Sequence, residues 1–107
     1  MIIRSAYLEG TVAEADRADF DRRMSEEVLP AIRAYPGLRD VKLRRLVEAD
    51  EGATPVYMAF DLYFDSLDAM RAALASETRQ IVRQKIAAAM GSFNGRVRHL
   101  VFEDISP

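Results

Sequence analysis

The chain has 107 residues, a net charge of −2 and no cysteine. Disulfides, thiolate metal sites and thiol catalysis are therefore excluded, and interspersed charges leave no electrostatic footprint for nucleic acid. One histidine cannot build a multi-histidine metal site within one chain, and no apolar run approaches the ~20 residues that span a bilayer.

Met1 leads directly into an apolar stretch, Ile2 to Leu8, which predicts a first strand ending at Gly10. That start lacks the basic and apolar segments of a signal peptide, so a cytoplasmic location without membrane contact is expected. Thr11 and Glu14 have the spacing of a capping box ahead of a helix. Ala13, Phe20, Met24, Val28, Ile32 and Tyr35 mark its apolar stripe. Pro30 removes a backbone donor and crowds the preceding turn, which predicts a kink or restart there; Pro36-Gly37 ends the helix.

Leu38 to Val47 reads as a second strand, with Val41, Leu43 and Val47 on one parity. Ala49 to Pro55 is a polar turn, so the second and third strands form a hairpin. The third strand is Val56 to Phe64. Ser66 caps the next helix, marked by Leu67, Met70 and Leu74. Ser76-Glu77 restarts it, and Ile81, Val82, Ile86 and Met90 carry the stripe onward. Gly91 and Gly95 bracket the exit to a last strand, Arg96 to Glu103.

The order strand, helix, strand, strand, helix, strand predicts a single α+β domain over residues 1–107. It is a ferredoxin-like βαββαβ sandwich with a four-stranded antiparallel sheet. Two helices cover one face only. In the third strand, Val56, Met58, Phe60, Leu62 and Phe64 form the bulky apolar parity that must meet them. The opposite parity, Tyr57, Ala59, Asp61 and Tyr63, is too apolar for bulk water yet carries a carboxylate and two phenols. Such a face is half of a cavity or of an interface. A second copy covers it by two-fold symmetry, which predicts a homodimer.

The chain resembles the EthD (ethyl tert-butyl ether degradation) family of dimeric α/β-barrels. The resemblance rests on Phe20 and its helix, Pro30, Tyr35-Pro36-Gly37-Leu38, and Leu62-Tyr63-Phe64-Asp65-Ser66-Leu67-Asp68-Ala69-Met70 followed by Ala73-Leu74-Ala75-Ser76. Related barrels, including muconolactone isomerase-like and stress-responsive proteins, share the outline. The resemblance implies a dimeric α/β-barrel whose sheets pack face to face, with cavities beside them for small organic, often cyclic or aromatic, molecules. It also implies a histidine two residues before the helix proline. This chain has Val28 there, so the acid/base group of that position is missing.

Asp61 and His99 are the candidate catalytic residues. A carboxylate amid a central strand must be paired, hydrogen-bonded or functional. Asp61 reads either as a general base or cavity anchor, or as an ion-pair partner of Arg4 on the adjacent strand. Tyr57 and Tyr63, on the same parity, are candidate ligand-binding residues, to be weighed against interface packing. Arg4 is a third candidate of that kind. Leu100 and Phe102 are the bulkier parity of the last strand, so His99 is placed on the cavity side as the one group titrating near neutral pH. The helix charges Arg79 to Lys85 read as a solvated face. No phosphate loop, dinucleotide fingerprint or metal-ligand spacing is present, so no cofactor and no metal are expected.

Two functional classes remain. One is an enzyme performing cofactor-free acid/base chemistry, isomerisation or oxygenation, on a small cyclic or aromatic metabolite. The other is a non-catalytic ligand-binding or accessory dimer of a degradation or stress pathway. The missing helix histidine favours the second, and the polar parity of the third strand favours the first. A metallochaperone on this fold is opposed by the absence of cysteine.

Overall fold

The computed structural model describes all residues, Met1–Pro107. Four strands, β1 (Ile2–Val12), β2 (Leu38–Arg45), β3 (Val56–Phe64) and β4 (Phe93–Glu103), form one antiparallel sheet in the order β2-β3-β1-β4. The helices are α1 (Arg17–Arg23), α2 (Leu29–Arg33), α3 (Leu67–Leu74) and α4 (Thr78–Ala89). This is the ferredoxin-like α+β sandwich that the order of elements predicts.

The helices pack against one face of the sheet because both layers present apolar stripes there. Phe20, Met24, Val28 and Ile32 recur every four residues and are all buried. They meet Leu8, Val12, Phe60, Leu62 and Phe64 in one core with Met70 and Ala73 of α3 and Val82 of α4. Burying each large side chain contributes roughly 1.5–3 kcal/mol. Phe20 anchors one end, stacked on Phe93 at 6.0 Å and edge-on to Tyr57 at 5.5 Å between ring centroids.

The proline interruption takes a definite form. Residues Met24–Val28 make a π-helical turn, in which Leu29 N–H reaches back to the Met24 carbonyl. Helix α2 then restarts with Pro30 in its first turn, where a missing N–H costs least. Ser66 caps α3 as expected: its Oγ accepts from Ala69 N–H at 3.1 Å. The break between α3 and α4 falls at Ser76-Glu77, also as expected.

Four boundaries differ from the sequence reading, the first being that β4 begins at Phe93 and not at Arg96. Strand β1 runs through Gly10 to Val12, because Gly95 of β4 lies opposite it. Gly10 and Gly95 have φ of +155° and +153°, and a Cβ on either would collide with the backbone of the other strand. Two facing glycines thus let the strands close up where a lone glycine would read as a stop. Thr11 is consequently in the strand, and no side-chain cap opens the following helix. Strand β2 ends at Arg45, leaving Val47 in the loop and 93% exposed.

Candidate functional site

Register sorts the candidate residues onto two faces. Along β1, Ile2, Arg4, Ala6 and Leu8 lie opposite Phe64, Leu62, Phe60 and Met58 of β3, on the helix side. Ile3, Ser5 and Tyr7 lie opposite Tyr63, Asp61 and Ala59, on the bare side. Arg4 and Asp61 are therefore on opposite faces, and the expected Arg4–Asp61 pair does not form. The register places Ser5 across from Asp61, and a one-residue offset reverses the face of a strand side chain.

Asp61 is instead paired with Arg44 of β2, at 2.6 Å to Nε and 3.0 Å to Nη2. The buried Ser5 hydroxyl donates to it at 2.7 Å. Glu9, likewise buried, pairs with Arg96 at 3.2 Å and Arg98 at 3.1 Å. Tyr63 keeps its expected place on the bare face, with the Lys42 ammonium 5.4 Å from its ring centre. Both oxygens of Asp61 are already engaged, so this face is a cross-strand network of paired charges set among Ile3, Leu100 and Phe102.

His99 lies opposite Ala6 and shares the helix side with Arg4. Its expected company with Asp61 is overturned: Leu100 and Phe102 occupy the bare face. Side-chain bulk misleads here because β4 is an edge strand that the helices barely reach. Val97 and Val101 on the helix side are 37% and 44% exposed, and Leu100 and Phe102 on the other are 39% and 46% exposed.

Tyr57 also leaves the expected face. The β1–β3 ladder pairs Leu8 with Met58 but Glu9 with Val56, so Tyr57 is the extra residue of a β-bulge. A bulge re-aims the side chain of the unpaired residue. Tyr57 turns to Phe20 and donates to Asp21 at 2.6 Å, and Arg45 holds the other Asp21 oxygen at 2.8 Å. Burial and the Asp21 carboxylate push the Tyr57 phenol up to about 12.

The helix side holds the cavity. About 310 Å³ of space lies between β1, β3 and β4 and the helices, walled by Met24, Ile32, Phe60, Leu62, Val82 and Met90. Polar groups converge on one part of its lining: Arg4 and His99 from the sheet, Tyr35 from beyond α2, and Arg79 and Arg83 from α4. His99 remains exposed at the mouth in the single protomer. Partial burial of its ring, then the Arg4 and Arg79 guanidiniums, push it down to about 4. A neutral imidazole at pH 7 is a proton acceptor. Burial pushes the Tyr35 phenol up, against the opposing pull of Arg79 and Arg4. Arg4 is lowered by burial and by Arg79.

Of the five residues singled out from sequence, only Arg4 and His99 meet in this cavity. Tyr35, Arg79 and Arg83 were missed, the arginines having been read as solvated. Their signal was spacing: Val82, Ile86 and Met90 are four residues apart, and Arg79 and Arg83 each lie three or four residues from members of that series, so the arginines border the apolar stripe of α4.

No family model and no curated protein matches the chain. Among solved structures, an EthD family protein from Bacillus halodurans superposes with a TM-score of 0.78 at 21% identity, over 98% of this chain and 100% of that one. The chain has the fold of an EthD family protein. A dimeric protein of ferredoxin-like fold from Bacteroides fragilis gives 0.67 at 11% identity, over 96% and 95%. An antibiotic biosynthesis monooxygenase gives 0.64 at 11% identity, over 99% and 100%. The EthD-type fold thus extends over nearly the whole chain.

Proposed function

We propose that this EthD-like chain is a homodimer that binds a small cyclic or aromatic molecule in the cavity between sheet and helices, and that His99 carries a proton there without a cofactor. The observation behind this reading is the convergence of the chain's one histidine, three guanidiniums and a phenol on a cavity whose other walls are apolar. Ligand sites typically combine an apolar wall with a few convergent polar groups. A neutral His99 accepts a proton from a carbon acid or phenol of the ligand, and Arg4 and Arg79 stabilise the oxyanion that develops. Such chemistry is the first half of an isomerisation or of a cofactor-free oxygenation. A second copy covers the bare face in this reading, and a solved protein of the same ferredoxin-like fold is described as dimeric.

The test is a titration of small cyclic and aromatic compounds against the full chain, repeated with Ala6→Phe. Ala6 lines the cavity floor, so the larger ring should fill it and abolish binding while the fold persists. Binding unchanged by Ala6→Phe would overturn the site. For any compound that turns over, His99→Gln should cost about 100-fold or more in rate with binding retained.

A second reading is supported by Val28. The helix position for which the EthD resemblance implies a histidine is here a fully buried core residue. Saturable binding with no turnover would make the chain a ligand-binding or accessory dimer of a degradation or stress pathway.

A further inference from the structure

We infer that the cavity takes a ligand bearing one carboxylate, held between Arg4 and Arg79, with its apolar body against Met24, Ile32 and Phe60. The inference rests on the cavity reading above and names the class of molecule it admits.

The arginines carry the argument. Arg22, Arg23, Arg39, Arg44, Arg45, Arg96 and Arg98 each have a carboxylate within ion-pair distance. Of the rest, Arg17, Arg33, Arg71 and Arg83 are exposed; Arg17 donates to the Val12 carbonyl at 3.1 Å, and Arg83 touches the cavity from its solvent side. Arg4 and Arg79 alone are both partly withdrawn from solvent and without a carboxylate partner. Both face the same cavity, and no aspartate or glutamate lines it. The imbalance is local, since the chain as a whole carries 17 acidic residues against 15 basic ones. Two like charges in an apolar recess repel each other and lose hydration. An anion between them removes both penalties, and a carboxylate matches the planar fork of guanidinium. The lowered pKa of Arg4, caused by burial and by Arg79, is the direction that a missing counter-anion produces.

A carboxylate fits better than a phosphate. The cavity is small for a ligand site and its wall is mainly apolar, whereas phosphate calls for a cradle of backbone N–H groups. The carboxylate at one end leaves an apolar body of limited size at the other.

Calorimetric titration of the full chain with matched acids and amides tests this: benzoate against benzamide, 1-naphthoate against 1-naphthamide, cyclohexanecarboxylate against its amide. Each acid that binds should be about tenfold or more tighter than its amide, the loss expected when a charge-assisted hydrogen bond is removed. Arg4→Met and Arg79→Met should each collapse that preference, and Arg4→Lys should retain part of it. An amide that binds as tightly as its acid, in a manner blocked by Ala6→Phe, overturns the inference and leaves the cavity reading intact. An acid preference unmoved by either methionine variant places the anion elsewhere and also overturns it. Binding of neither acids nor amides overturns the cavity reading itself.

Discussion

His99 is the chain's only histidine, so its imidazole gives the only histidine signals in a proton spectrum. The folded protein should titrate that ring at about 4, against 6.5 for an ordinary histidine. Arg79→Met tests the causes separately. Burial is the largest of them and persists in the variant, as does the Arg4 charge. Removing one nearby charge should therefore raise the pKa by on the order of one unit, without restoring the ordinary value. Arg4→Met should act in the same direction. The assay is the chemical shift of the Cε1 proton from pH 3 to 8 in wild type and both variants. Stability follows by linkage. Between the lowered folded value and 6.5, the unfolded chain binds a proton that the folded chain does not. This contribution is complete above the unfolded pKa and is lost as pH falls toward about 4. His99→Gln should be less sensitive to acid than wild type in that window. A wild-type ring titrating at 6.5 or above, or one indifferent to both arginine variants, would refute the reasoning.

On the bare face, Arg44→Met leaves the Asp61 carboxylate, 8% exposed, with Ser5 alone. It should cost roughly 1–3 kcal/mol in urea unfolding at fixed protein concentration, and adding Asp61→Asn should restore part of it. A change within about 0.5 kcal/mol would contradict the pairing. Phe102→Lys places a charge at an exposed position of that face and should leave the protomer folded but separate the proposed dimer. Light scattering reads this as a fall from two chains to one, and a wild-type mass of one chain would end the dimer proposal. Ser66→Ala removes the cap of α3 and should lower stability by about 1 kcal/mol, as thermal unfolding would report.

The order of elements, the hairpin, the Ser66 cap and the break at Pro30 were legible in the sequence, because each depends on residues close together along the chain. Periodicity of two and near four identifies strands and helices, and a proline or a capping hydroxyl acts within one turn. The core was legible for the same reason: Phe20, Met24, Val28 and Ile32 repeat at helical spacing, and alternation marks Met58, Phe60, Leu62 and Phe64. The candidate site was only half legible. Arg4 and His99 were named, but that they meet each other and not Asp61 depends on strand register, and a shift of one residue moves a side chain through the sheet. Bulk failed for β4 because neither face of an edge strand is well covered. Tyr57 was misplaced by a bulge that exists only in the pairing of β1 with β3. Tyr35 and Arg79 joined the site because α2 and α4 lie over the same part of the sheet. Local periodicity fixed which side of its own element each residue occupies; only the packing of one element on another decided which sides meet.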